Sequence, residues 1–279
     1  MKRLLTIACL VIGCGSSNGA ASGNAAASGG GEGGGVCASA QVATPLTDVS
    51  GRWAYLEVQS SLVQAPAYAQ PFSNLVISVM LLEQTQTGTD VTGQGTFCDR
   101  YTYCPTAPTA VPDAMVRALP ALSYQGSYGS DGSFGFGPTY WVQGATLTDP
   151  TDPSNLPTTP DDPRVVDADQ DGMPGVTMVL VSPVAGKLYV VQWNSVKPHG
   201  ASVAPDRIQG LLDYDAAQVV LESDPPSIKL MSPTSSVDPE ACHSTFQMVK
   251  VSADLDCATL KAQELTLFPD LAATPRTNP

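Results

Sequence analysis

The sequence predicts an all-β domain: an antiparallel β-barrel of about eight or nine strands with minimal helix, or a β-sandwich as the alternative. Three observations carry that expectation. From Val42 onward apolar residues recur at every second position rather than at helical spacing. The runs they form are short and separated by hairpin-length gaps, which suits antiparallel pairing rather than βαβ units. Gly (25) and Pro (24) are plentiful while charged residues are only 14% of the chain, against roughly 25% in an average soluble domain. That composition excludes a coiled coil or a helical repeat.

Taken in order, Arg52 to Ser60 alternates Trp53 and Tyr55 with Ala54, Leu56 and Val58. Asn74 to Gln86 is apolar on both faces, with Leu75, Ile77, Val79 and Leu81 on one and Val76, Met80 and Leu82 on the other, as a strand covered on both sides requires. Thr87-Gly88-Thr89-Asp90 is a turn, and Val91 to Phe97 returns as the hairpin partner. Gly132 to Gly137 and Thr139 to Thr148 form another strand, bent at its glycines. Val176 to Val181, Lys187 to Trp193, Arg207 to Asp213 and Ala216 to Glu222 follow, and Phe246 to Val251 closes the series. Helix is confined to a turn or two within Pro112 to Leu119 and one short segment at Cys257 to Leu265. No internal repeat of fixed period is present.

Lys2 and Arg3 precede a short apolar run, Leu4 to Ile12. Nine helical residues rise about 14 Å, half of a ~30 Å hydrocarbon core, so the run reads as a secretory signal and not as a membrane span. Its end, Val11-Ile12-Gly13-Cys14, resembles the lipobox of bacterial lipoproteins. The resemblance implies a signal peptide of residues 1–13 and an acylated Cys14 that holds the protein on membrane lipid. Cys9 is a poorer match, because the apolar run before it is too short. The alternative is an ordinary signal peptide cut elsewhere, with Cys14 discarded. Gly15 is not the Asp that retains many such lipoproteins in the inner membrane, so the resemblance implies the bacterial outer membrane. Residues 14–36 are almost wholly Gly, Ser, Ala and Asn, a tether that buries too little apolar area to order itself. A single barrel-like domain of residues 37–279 follows.

In an oxidising envelope, Cys37, Cys98, Cys104, Cys242 and Cys257 are expected to form disulfides with one left over. About fifteen pairing patterns are open, and local spacing favours Cys98 with Cys104 and Cys242 with Cys257. No CxxC or HxxxH spacing supports a zinc site.

Gly51-Arg52-Trp53 at the head of the first strand resembles the GxW element of lipocalins, and Asp213-Tyr214 resembles a second lipocalin element. The resemblance implies an eight-stranded, calycin-like barrel whose Trp closes one end and whose interior holds one small ligand. The chain departs from that pattern in two ways: it has only Lys250 and Lys261 where lipocalins pack an Arg on the Trp, and it lacks their long final helix. Trp53, Tyr55, Tyr140, Trp141, Tyr189 and Trp193 are candidate lining residues, with core filling as the competing role.

Asp167-Ala168-Asp169-Gln170-Asp171-Gly172-Met173 is the most specific local pattern. Carboxylates at alternating positions converge on one point, and Gly172 permits the sharp turn. The pattern resembles the DxDxDG opening of calcium loops in EF-hands and thrombospondin-type repeats. By that resemblance Asp167, Asp169 and Asp171 are side-chain ligands of a structural Ca²⁺, and Met173 gives its carbonyl. The bidentate Glu of an EF-hand is replaced by Met178, which leaves Asp161, Asp162 or water to complete the shell. The competing reading is a solvated acidic loop. The motif ends a long polar excursion, residues 149–175, rich in Asp, Pro and Thr.

A net charge of −13 with 13 basic residues argues against nucleic acid as a partner. His199 sits in a turn and His243 beside Cys242, and neither belongs to a GxSxG or HExxH pattern. No phosphate loop or dinucleotide fingerprint occurs, so the sequence argues against an enzyme. The expected function is a lipid-anchored envelope barrel that binds a small apolar ligand or a protein partner. The alternative is a calcium-stabilised structural or adhesion module with a solid core.

Overall fold

Three long strands, β1 (Gly51–Gln64), β2 (Phe72–Thr87) and β3 (Asp90–Tyr103), open the domain as successive antiparallel neighbours. The structure, a computed structural model, describes residues 45–65, 68–231 and 233–276. The expected signal segment, Cys14, the tether and Cys37 lie outside the described residues. After β3 come β4 (Thr109–Ala110), α1 (Asp113–Arg117), β5 (Leu122–Tyr128), β6 (Ser133–Phe136), β7 (Thr139–Gln143) and β8 (Val176–Leu180). Two further long strands, β9 (Gly186–Ala204) and β10 (Arg207–Asp224), form a hairpin, and β11 (Thr234–Val237), β12 (Thr245–Lys250) and α2 (Cys257–Leu267) complete the chain.

The pairing order is β10, β12, β1, β2, β3, β5, β6, β9, and β9 pairs with β10 again. Eight antiparallel strands therefore close into a ring, and the all-β expectation with minimal helix holds. β7, β8 and β4 extend the sheet from β9. No helix among the described residues is long and apolar enough to cross a membrane.

Several segments differ from their sequence reading. Lys187–Trp193 is only the opening of β9, which continues through Pro198 and Gly200 along the whole of β10. Arg207–Asp213 and Ala216–Glu222 are one strand. Their polar stretches carry no alternation, so the backbone pairing between the two long strands, not apolar pattern, keeps them extended. Gly132–Thr148 divides into β6 and β7 at Gly137, whose φ of +95° breaks the strand. β5 escapes the periodic reading because Gly126 interrupts the series Leu122, Tyr124, Tyr128.

Two apolar layers lie on the two faces of the ring. Inside, Trp53, Tyr55, Met80, Leu82, Tyr124, Phe134, Phe136, Phe246 and Met248 fill one end. Trp53 is fully buried there; its indole N–H donates to Val49 O at 2.8 Å, and Lys250 Nζ lies 5.6 Å from its ring centre. Outside, Leu56, Ile77, Val79 and Tyr101 pack under Leu260, Phe268 and Leu271 of the C-terminal segment.

A bulge on β3 sets which residues face which layer. Val79 pairs with Asp99 but Met80 pairs with Phe97, which leaves Cys98 as the extra residue. Before the bulge the odd positions Val91 and Phe97 face the interior. Beyond it Tyr101 faces the outer layer, while Arg100 and Thr102 turn inward.

The disulfides differ from the expected pairs. Cys98 bonds Cys257 at the start of α2, with Cα atoms 4.9 Å apart. Cys98 and Cys104 are separated by the extended end of β3, roughly 20 Å at 3.3 Å per residue, beyond the ~7 Å that a bridge spans. Cys104 is buried, and its Sγ accepts from Ala107 N at 3.4 Å. Cys242 is disulfide-bonded, but not to Cys257, whose sulfur is taken by Cys98.

Candidate functional site

Among the described residues, side chains fill the ring at the Trp53 end and leave the other end open. Along β1 the inward series Trp53, Tyr55, Glu57, Gln59, Ser61, Val63 passes from apolar to polar and back to apolar. The polar residues mark the floor of a cavity of about 820 Å³ that opens at the other end. Val63, Val76, Met115, Trp141 and Leu188 contribute to its wall, which is chiefly apolar.

The floor is a hydrogen-bonded layer. Gln59 and Asn194, both 2% exposed, exchange hydrogen bonds: Asn194 Nδ2 donates to Gln59 Oε1 at 3.0 Å, and Gln59 Nε2 donates to Asn194 Oδ1 at 3.3 Å. Gln59 Nε2 also donates to Glu57 Oε1 at 2.7 Å, and the Tyr55 hydroxyl donates to Glu57 Oε2 at 3.4 Å. Arg100 lines the cavity from β3, its NH1 donating to Ser78 Oγ at 2.8 Å and its guanidinium carbon 4.9 Å from the Trp141 ring centre. Burial pushes the Glu57 carboxyl up, against the opposing pull of Arg100 and its hydrogen bonds. Burial likewise lowers Arg100 to about 10, while the charge of Glu57 acts to raise it.

Of the expected lining residues, Trp141 and Trp193 reach the cavity. Trp193 also donates its indole N–H to Pro150 O at 2.7 Å, pinning the polar excursion to β9. Trp53 and Tyr55 belong to the filled end, Tyr140 packs beside Trp193, and Tyr189 is buried opposite Thr177 of β8; none of these four lines the cavity. Arg100, Gln59 and Asn194 were not singled out by the sequence. Glu57 and Gln59 carry a signal, because they fall in phase with Trp53 and Tyr55 on an otherwise apolar face. Arg100 carries none, because the bulge reverses its phase.

The acidic loop forms one compact cluster. Asp167, Asp169 and Asp171 each present a carboxylate oxygen within 4.8 Å of the other two. Asp167 accepts from Asp171 N at 3.1 Å and Gly172 N at 2.9 Å, and Asp171 accepts from Met173 N at 2.9 Å. Thr177 of β8 holds the far side: its N–H donates to Asp169 Oδ2 at 2.9 Å and its hydroxyl to Asp171 Oδ2 at 2.6 Å. Gln170 and Gly172 have φ of +60° and +84°, the left-handed backbone the tight turn requires. Asp169 Oδ1 is buried and has no hydrogen-bond partner. Burial, reinforced by Asp171 and Asp167, pushes the Asp169 carboxyl up. Asp162 is not part of the cluster; both its oxygens are held by Arg164, at 2.9 and 2.7 Å.

Both histidines face carboxylates, and neither is hydrogen-bonded to a hydroxyl among the described residues. His243 Nδ1 and Ser60 Oγ both bond Asp238 Oδ2, each at 2.8 Å, so the carboxylate stands between imidazole and serine. His199 meets Asp213 at 3.6 Å on the exposed surface.

No protein-family model, no curated protein and no solved structure matches this chain.

Proposed function

We propose that this protein is an envelope β-domain, anchored to outer-membrane lipid through Cys14, that holds a small, largely apolar ligand in the open half of its ring. The cavity carries the reading. Its volume of about 820 Å³ lies within the ~300–1,000 Å³ typical of small-molecule sites, and a few buried polar groups at the base of an apolar wall are what such sites use to orient a ligand. The packed aromatic layer beneath makes it a blind cup. The anchor rests on the sequence alone, where the charged start, the short apolar run and Cys14 resemble a lipobox.

Solvent extraction of the purified protein followed by mass spectrometry tests the cavity. A stoichiometric small molecule is expected from the wild type, and Val76→Trp, which fills the cup from β2, is expected to release none. Equal recovery from both proteins overturns the reading. For the anchor, Cys14→Ser is expected to leave the protein unprocessed or soluble; a variant still cut and still membrane-bound refutes it.

A second element of the proposal is a structural Ca²⁺ in the acidic loop, favoured by the orphaned, buried Asp169 Oδ1. An oxygen without a donor, among three carboxylates, fits a hard cation better than an empty turn. Asp167, Asp169 and Asp171 would hold the ion, with the Met173 carbonyl as the fourth protein ligand. Without a bidentate Glu the expected affinity is that of extracellular modules, ~10⁻⁴–10⁻³ M. Calcium at one hundred times its dissociation constant should add about 2.7 kcal/mol to the wild type, and almost nothing to Asp169→Asn/Asp171→Asn. Identical wild-type melts in calcium and in chelator would remove calcium from the account.

A further inference from the structure

We propose that the cup takes a carboxylate-headed amphiphile head first, with Arg100 as the residue that binds the carboxylate. The inference rests on the cavity reading above and specifies its ligand.

Arg100 is 6% exposed, yet it belongs to the cavity lining. A guanidinium has five N–H donors, and the one side-chain hydrogen bond that Arg100 makes among the described residues is NH1 to Ser78 Oγ. A buried cation that lines a cavity and makes a single side-chain hydrogen bond is costly until an anion reaches it. Glu57 does not fill that role. Its oxygens are engaged by Gln59 and Tyr55, and its influence on Arg100 acts through space, without an ion pair within 4.0 Å. Trp141 supports the guanidinium from the side, which limits its freedom to swing away.

The direction of entry follows from the order of residues along the strands. Outward from the floor, β1 runs Gln59, Ser61, Val63, and β2 runs Ser78, Val76, Asn74, Phe72. Val184 and Val237 also line the cavity and are 43% and 40% exposed. Arg100, the one cation among the lining residues described, therefore lies at the bottom, while the upper wall carries apolar Val63, Phe72, Val184 and Val237 together with Asn74, Ser235 and Asp215 and offers a carboxylate no positive charge at the mouth. A ligand whose charged end goes in and whose chain fills the upper cup matches both zones. A planar carboxylate also suits the fork of a guanidinium.

The test is fluorescence titration of the full protein at neutral pH with cis-parinaric acid, its methyl ester and the amine of the same chain. The acid is expected to bind about tenfold or more tightly than the ester, as a charge-assisted hydrogen bond implies, and the amine no better than the ester. Arg100→Met is expected to bring the acid down to the affinity of the ester while ester binding persists. If that variant does not fold, the three wild-type affinities decide. Equal binding of acid and ester overturns the carboxylate assignment and leaves the cavity reading standing. Preference for the amine assigns the floor to Glu57 and overturns it too. Binding of none of the three removes the cavity reading, and this inference with it.

Discussion

Cutting the Cys98–Cys257 bridge perturbs the outer layer of the fold, and the size of the effect follows from chain length. The two cysteines are 159 residues apart. In the chain-entropy description a loop of that length removes ~17 cal/mol/K from the unfolded chain, ~5 kcal/mol at 25 °C, at the top of the observed range. A Cys98–Cys104 loop would contribute only about half as much by the same relation. The bridge also fastens α2 where Leu260 and Phe268 cover β1, β2 and β3. In a domain of this size each kcal/mol moves the melting temperature by ~2–4 °C, so Cys257→Ala should lower it by about 10–20 °C. Cys98→Ala should match it, and the double variant should lose little more than either single one, because both remove one covalent link. Calorimetry on the three variants and non-reducing peptide mapping of the wild type provide the measurement. Single losses below about 2 °C, additive losses in the double variant, or a Cys98–Cys104 peptide would refute the reasoning.

Three further outcomes can be checked by denaturation. Arg276 joins the buried carboxylates of Asp99 and Glu264, with its guanidinium 4.7 Å from the Tyr101 ring centre; Arg276→Ala should cost up to about 3 kcal/mol, tempered by Lys261 at 3.8 Å from Asp99, and an unchanged urea midpoint would show the cluster to be ornamental. Gly126→Ala should cost about 1–3 kcal/mol, since a Cβ there would collide with the Gly135 carbonyl and Phe136 across the β5–β6 pair; a neutral result would mean that β5 is not held in this register. Burial acts to raise the Asp238 carboxyl, but hydrogen bonds from Glu240 N–H, His243 and Ser60 outweigh it and leave it below its ordinary 3.8. Its contribution is therefore complete above that value and fades as pH falls through the lower, folded one, so wild type should lose more stability than Asp238→Asn between pH 5 and about 2, and parallel curves would contradict this.

The strands easiest to read were those with one face in each apolar layer. β1 and β2 are apolar at odd and even positions because Trp53, Tyr55, Met80 and Leu82 enter the ring while Leu56, Ile77 and Val79 meet the C-terminal cover. Period-2 patterning records burial, and these strands are buried on both sides. β5 and the far half of β9 are hidden for the converse reason, and β10 reads as two strands where there is one. Gly126 contributes backbone to a tight strand pair and no side chain, and the long hairpin is extended by its ladder rather than by apolar faces. The disulfide was out of reach of spacing arguments, because it joins a bulge to a helix start that meet only once the ring has closed.

The bulge at Cys98 connects the fold to the site. Cys98 already points outward to Cys257 as the neighbour of the inward Phe97; the extra residue sends Asp99 outward as well, to Arg276, and by the same shift turns Arg100 inward to the cavity floor. A regular strand would keep the phase of Phe97 and place Arg100 among the outer apolar residues, a position that strand pairing alone would not tolerate. The bulge thus exchanges one regular ladder step for an ion pair on the outside and a cation on the inside. An apolar floor would pack more favourably than Glu57, Gln59, Asn194 and Arg100, since a buried polar layer gains little stability over hydrophobic residues of equal volume. Stability alone therefore gives no reason for charges at that depth; a ligand with a charged end does.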